Sequence, residues 1–303
     1  MTVRFGYCCI NLELQKQGIT CNRTMRKATF QKKGLDYASE LSLINAEALE
    51  KIIDWNIMKG LEVFRMTSTL FPWASEYHWD DLPDMPKIRE TLARAGRKAN
   101  EAGLRLSFHP GPFNCLTSSN PVAVQNCVKD LSLHGDMMDM LQQPRNHWAK
   151  INIHIGGAYG DRASALDRWC SNFDILPDNV KCRLTVENDD RKNLYSTRML
   201  YDSIYKRLQV PIVFDSHHFE CGPQDSDYSE ALSMAVESWP TGIRPMCHHS
   251  NSKKFYEDES VNTYAAHSNY YYKPFVDLGY EVDVALEAKA KEKALFKYIE
   301  DFC

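Results

Sequence analysis

Eight apolar runs of strand length punctuate the chain, at residues 3–10, 61–66, 105–109, 150–155, 183–187, 212–215, 244–249 and 281–286. Between them lie longer segments whose apolar residues return every three or four positions, the period of a helix with one buried face. Leu49, Ile52, Ile53 and Ile57 mark such a face over 45–59, and 85–102, 121–141, 163–173, 194–208 and 230–239 read the same way. The last segment, 285–302, carries Ala-Lys-Ala-Lys-Glu-Lys-Ala-Leu, residues of strong helix propensity. Strand starts are mostly about 30 to 45 residues apart, room for a helical crossover and hence for parallel strands. Eight such units predict an α/β fold, a single (β/α)8 TIM barrel over residues 1–303, with a doubly wound sheet as the structural alternative. The polar stretch 15–42, rich in Lys and Arg, predicts a loop with a short helix on one face of the barrel.

Four strands alternate apolar and polar positions with period two, so each sends one set of side chains to each face. Leu106 and Phe108 alternate with Ser107 and His109, and Ile151, Ile153 and Ile155 with Asn152 and His154. Leu184 and Val186 alternate with Thr185 and Glu187, and Ile212 and Phe214 with Val213 and Asp215. If the apolar sets pack under helices, His109, His154, Glu187 and Asp215 meet at the C-terminal mouth, where barrel enzymes build their sites. Asp215-Ser216-His217-His218, Cys247-His248-His249-Ser250, Ala266-His267-Ser268 and Glu287 add further candidates. Mixed imidazole and carboxylate donors suit zinc, manganese or iron better than calcium. A cluster of such ions polarises a phosphoryl oxygen, activates water and stabilises a leaving oxygen, the chemistry of phosphodiester hydrolysis.

A single strand histidine is more often a hydrogen-bonded structural residue than a ligand; repetition at one end of successive strands carries the inference. His78, His134, His147, His217 and His249 lack that context and read as structural, with His217 and His249 placed to orient neighbouring ligands. Gly156-Gly157 lacks the lysine of a phosphate-cradling loop and reads as a tight turn, and no Gly-x-Ser-x-Gly motif supports serine-hydrolase chemistry.

Composition changes this picture little. Hydrophobic residues at 44% and charged residues at 25% are those of a globular protein, and no apolar run reaches the roughly 18 residues of a membrane span. The first residues lack the apolar core and cleavage signature of a signal peptide. Ten scattered cysteines without metal-finger spacing are expected to be reduced, which places the protein inside the cell without distinguishing nucleus from cytoplasm. The net charge of −4 argues mildly against nucleic acid, but two or three bound divalent cations would concentrate positive charge in the site itself.

The segments GYCCINLEL, SFHPG, INIHIGGAYGD, RLTVENDD, IVFDSHH, AHSNYYY and LEAKAKEKAL, in this order along nearly the whole chain, resemble the UV damage endonuclease family. The resemblance implies a barrel related to endonuclease IV that nicks damaged double-stranded DNA immediately 5′ of UV photoproducts and some other lesions. It implies 3′-hydroxyl and 5′-phosphate products, and a cluster of two or three divalent ions, manganese favoured over zinc or magnesium. Carried over by position, the metal ligands are His109, His154, Glu187, Asp215, His218, His248, His267 and Glu287, with Glu187 bridging two ions. His109, His154 and Glu187 form the catalytic group, and Tyr7 and Asn11 match residues near the lesion. A monomer that engages no membrane is expected.

Three positions depart from the family pattern. Pro112 and Phe113 stand where a Gln and an aromatic residue wedge into the duplex; Phe113 can still insert between bases, while Pro112 supplies no amide. Met246 stands where some members carry a carboxylated lysine, and Asn269 where an Asp is common. Lys16, Arg23, Arg26, Lys27, Lys32 and Lys33 could grip phosphates or form a solvated loop. Two other readings stay open: a metal-dependent sugar isomerase or epimerase on the same barrel, and a damaged-DNA binding protein without catalysis.

Overall fold

The computed structural model describes residues 3–303, with eight parallel strands among them. They are β1 (Val3–Cys9), β2 (Val63–Met66), β3 (Arg105–Ser107), β4 (Ile151–His154), β5 (Leu184–Glu187), β6 (Ile212–Asp215), β7 (Met246–His249) and β8 (Val282–Leu286). Their order, β3-β2-β1-β8-β7-β6-β5-β4, brings first and last strands side by side, with Val3 opposite Val282 and Tyr7 opposite Leu286. A bridge between Phe108 and Ile151 joins β3 to β4 and closes the ring. This is the (β/α)8 barrel that the alternation of strand and helix predicts. No helix among the described residues is long and apolar enough to cross a membrane.

Each strand sorts its residues by period two. Outward residues such as Phe64, Leu106, Ile151, Ile153, Val186 and Phe214 are fully buried in the large cluster beneath the helices. Inside the ring, Cys8, Val63, Val213, Met246 and Ala285 form a smaller apolar belt. Gly6 permits the closest strand approach here: a Cβ at this position would stand 2.0 Å from the Val63 carbonyl oxygen. Below the belt, at the N-terminal end, the buried Asp283 carboxylate accepts from Arg4 (2.6 and 2.7 Å) and Arg105 (2.8 Å), with Arg244 at 3.4 Å. Arg105 is itself fully buried and donates to the carbonyls of Trp148, Arg244 and His147.

The stretch after β1 differs from the expected loop and short helix. A one-turn helix, Leu12–Gln15, is followed by a 32-residue helix, Lys27–Met58, that Gly34 interrupts with φ 66° and ψ −155°. Gly34 breaks the period of the early half, whose Phe30, Leu35 and Ala38 also pack on the core, so periodicity exposes the helix only from residue 45, where Leu49, Ile52 and Ile53 continue that face. Of the basic residues here, Arg23 donates to the Gly18 and Thr20 carbonyls, and Lys27 and Lys33 lie over the rings of Trp73 and Tyr37.

Helix Lys27–Met58 is clamped to helix Met85–Glu101 by the part-buried Glu50, which accepts two 2.7 Å bonds from Arg94 and lies 2.9 Å from Lys98. The bonds from Arg94, then those from Lys98, hold this carboxyl down to about 2 against the upward push of burial. Because the folded value lies below the unfolded one of about 4.3, the stabilisation is full above that pH and is lost as pH falls through about 2. Glu50→Gln should therefore cost on the order of 1 kcal/mol at neutral pH, discounted for exposure. Chemical denaturation of both proteins down to about pH 2.5 should show the gap closing; a gap independent of pH would show that the clamp does not act through charge.

Candidate metal centre

The inward residues at the strand ends converge on one carboxylate. Glu187, the last residue of β5, is fully buried, and each of its oxygens faces a different pair of imidazoles. Oε2 lies 3.1 Å from His109 Nε2 and 3.0 Å from His248 Nδ1; Oε1 lies 3.1 Å from His218 Nδ1 and 4.0 Å from His154 Nε2. Glu287, just after β8, stands 3.0 Å from His248 Nδ1 and 4.0 Å from His267 Nδ1. Asp215, at the end of β6, caps the helix Ser216–Cys221 by accepting from the backbone N–H groups of His217 (2.7 Å) and His218 (2.9 Å). That cap leaves its second oxygen, Oδ2, without a hydrogen bond. The eight residues proposed as ligands thus lie together at the mouth.

Two groups of three present their ligand atoms within 4.8 Å of one another: His109, His154 and Glu187, and Glu187, Asp215 and His248. Glu187 belongs to both. The donor set fits borderline divalent ions, and the orphan atoms agree. Asp215 Oδ2 and His267 Nδ1 are buried without a hydrogen bond, and His154 Nδ1, Glu187 Oε1 and His248 Nδ1 have only charged neighbours at 3.0 to 3.2 Å whose angles make none, a cost native structures rarely carry unless something binds there.

The electrostatics follow from burial and crowding. Burial alone would raise the Glu187 pKa, but His248, His154 and His109 outweigh it and hold the carboxyl well below its usual range. Arg65, then His248 and His267, do the same for Glu287 against burial. His109 is pushed down to about 4 by burial, so it stays neutral and its nitrogen lone pair stays free to ligate. For His218, burial is overridden by Asp215, Glu187 and Glu287, and its pKa rises well above normal.

Several supporting residues lie outside the proposed ligand set. Asn152 donates to Glu187 Oε2 and accepts from the Thr185 hydroxyl at 2.8 Å, which fixes the carboxylate plane. Asp189 sits 3.2 Å from His154 Nδ1, Arg65 pairs with Glu287, and Lys150 Nζ lies 3.1 Å from His248 Nε2. Asn188 pins Asp215 through paired 2.9 Å backbone bonds. Partners that orient ligands in this way are a regular part of metal sites. Arg65 and Lys150 are signalled in the sequence by polar residues at inward positions of otherwise apolar strands. His249 is held by Ser216 at 2.7 Å and the Lys273 carbonyl at 3.0 Å, a structural role.

Tyr7 and Asn11 stand apart from the ligand cluster. Tyr7 lies on the outward face of β1, fully buried against Trp55 and Phe64, and its hydroxyl donates to Asn56 at 2.8 Å. Asn11 is 1% exposed, donates to the Tyr7 hydroxyl at 3.0 Å and caps helix Leu12–Gln15. Neither side chain offers surface to a duplex, because period two turns Tyr7 to the helix layer, away from the mouth. Pro112 and Phe113 are exposed on the loop after β3, Phe113 by 91%. Met246 is part of the interior apolar belt, and Asn269 is turned to Glu257, to which its amide donates at 2.7 Å. Beside the centre opens a cleft of about 540 Å³ whose walls include Pro112, His154, Tyr159, Asp189, Arg191 and His218.

The comparisons with known proteins agree on one family. The UV-endonuclease UvdE family model matches residues 3–303. The UV-damage endonuclease of Schizosaccharomyces pombe is 31% identical over 97% of this chain, and the chain spans half of that relative's length. The UV DNA damage endonuclease of Bacillus velezensis is 33% identical over 83% of this chain and 78% of its own. The crystal structure of SacUVDE superposes with a TM-score of 0.82 at 26% identity, covering 98% of this chain and 97% of that one. The D-psicose 3-epimerase of Clostridium cellulolyticum H10, at 12% identity and a TM-score of 0.53 over 79% of this chain and 78% of its own, shares the fold alone. With its barrel, its shared Glu187 and a match along its described length, the chain belongs to the UV-endonuclease UvdE family.

Proposed function

We propose that the protein is a metal-dependent DNA repair endonuclease that incises the backbone immediately 5′ of UV photoproducts, leaving a 3′-hydroxyl and a 5′-phosphate. The observation that carries this reading is Glu187, a buried carboxylate common to two ligand groups. His109, His154 and Glu187 would hold one divalent ion, and Glu187, Asp215, His248 and Glu287 a second, with His218 and His267 toward a third. Manganese suits the donor set, with zinc and magnesium as the alternatives. Bound there, the ions polarise the phosphodiester, activate water and stabilise the leaving 3′-oxygen.

The chain's own part is positioning. Asp189 orients His154, Asn152 fixes Glu187, and Lys150 meets the far nitrogen of His248. No nucleophilic side chain is required, which agrees with thiols pushed upward by burial at Cys8 and Cys247. Phe113 stands free at the rim, where an apolar ring can enter a base step that a lesion has already weakened.

Metal analysis of the purified protein, coupled to a nicking assay on duplexes carrying a photoproduct, an abasic site or no lesion, tests the reading. Cleavage confined to damaged duplex in the presence of manganese is the expected result. Sugar epimerisation without nicking would replace it with isomerase chemistry. Phe113→Ala should lower the preference for damaged over intact duplex about tenfold, the scale of one lost ring–base contact, with metal content unchanged. An unaltered preference would remove Phe113 from lesion recognition.

A further inference from the structure

Tyr159 belongs neither to the ligand set nor to the wedge, yet its ring lines the cleft that opens onto His154 and His218. It is 58% exposed, so most of the ring faces the open cleft or solvent. Its backbone is left-handed, φ 49°, a conformation that a bulky residue keeps only where the surroundings enforce it and that clusters at functional sites. The ring is also held from outside. The Arg168 guanidinium lies over the ring, 5.7 Å from its centroid, and is itself anchored by an Nε bond of 2.8 Å to the Thr117 carbonyl. A Cβ on Gly157 would stand 3.2 Å from the ring's Cε2 and Cζ, so the glycine leaves the space that the ring edge fills.

An aromatic ring fixed by its own backbone, covered by a cation and largely open to a cleft is a stacking surface prepared before its ligand arrives. The cleft, about 540 Å³, falls within the size range of small-ligand sites and includes metal-ligand histidines in its wall. We propose that Tyr159 is the platform on which a nucleobase displaced from the duplex at the lesion stacks, an assignment that rests on the nuclease reading above. Every nucleobase presents a π-face, so the platform tolerates different lesions while requiring that the base leave its stack. A photoproduct loosens its own stack and an abasic site frees the unpaired base opposite it, and Tyr159 thereby converts ease of displacement into affinity. Pro112 lines the same cleft as Tyr159, and its neighbour Phe113 and Tyr159 supply separate functions: Phe113 enters the duplex, Tyr159 receives what is expelled.

Binding of fluorescently labelled photoproduct-bearing and intact duplexes by the metal-loaded wild type, Tyr159→Ala and Tyr159→Trp tests this. The duplexes carry a phosphorothioate at the scissile position to slow cleavage, and metal content is measured in parallel. Tyr159→Ala should bind the damaged duplex about tenfold more weakly and the intact duplex within about twofold of wild type, with unchanged metal content; Tyr159→Trp should retain wild-type preference. Undiminished binding of damaged duplex by Tyr159→Ala overturns the assignment, as does a Trp variant that loses as much as Ala. If the wild type itself neither prefers nor nicks damaged duplex, the nuclease reading fails and the platform falls with it.

Discussion

Glu187→Gln should reduce nicking by at least about a thousandfold, several kcal/mol of lost transition-state stabilisation, because one substitution weakens both ligand groups at once. The amide keeps the shape of the carboxylate and can still meet Asn152 and His109, so the fold should survive with a melting temperature within a few degrees in the metal-free protein. What goes is the negative charge on which four imidazoles converge: with it removed, His218 and His154 lose a cause of their raised pKa values and any cation loses its shared anchor. Metal analysis should accordingly show a loss of bound ion that parallels the loss of activity. Near-normal turnover with full metal content would place the chemistry elsewhere.

The second large effect belongs to the opposite end of the barrel. Asp283→Ala should destabilise the protein by about 3 to 5 kcal/mol, the cost of leaving a buried charge without its counter-ion. Asp283 is the carboxylate on which Arg4 and Arg105 converge, with Arg244 nearby, and Arg105 has no exposed surface through which water could replace it. Urea denaturation would report the loss directly, and a change below about 1 kcal/mol would show that the carbonyls of Trp148, His147 and Arg244 suffice for Arg105. Asp283→Asn, which retains an acceptor but no charge, should fall between the two.

How much of this was legible in the sequence depended on whether one rule decided the outcome. Period two alone places Glu187 and His154 on the inner face, and the structure has them there as register partners on β5 and β4. The same rule, applied to β1, separates Tyr7 from Cys8 and turns Tyr7 outward against Phe64 and Asn56, whereas the resemblance by position implied a place near the lesion. The helix Lys27–Met58 was half visible, because Gly34 interrupts the period between Phe30 and the apolar face that follows. Arg65 and Lys150 were invisible to a search for ligand types, since neither is a ligand and each acts by holding one. Tyr159 was hidden for a different reason: a left-handed backbone and a guanidinium packed on a ring from another segment are tertiary facts that no spacing encodes.

The apolar belt of Val63, Val213, Met246 and Ala285 separates two charged layers that answer to different demands. Each of these residues precedes by two a residue of the mouth, Arg65, Asp215, His248 or Glu287, so the belt acts as an insulator between a floor that holds the barrel closed and a rim that gathers the candidate metal ligands. Mutations at the floor should then appear in melting curves and mutations at the rim in turnover, with little crosstalk except through Lys150, whose long side chain reaches up to His248. A chain built this way can vary the loops of its rim, where Pro112 and Asn269 lie, without disturbing the floor.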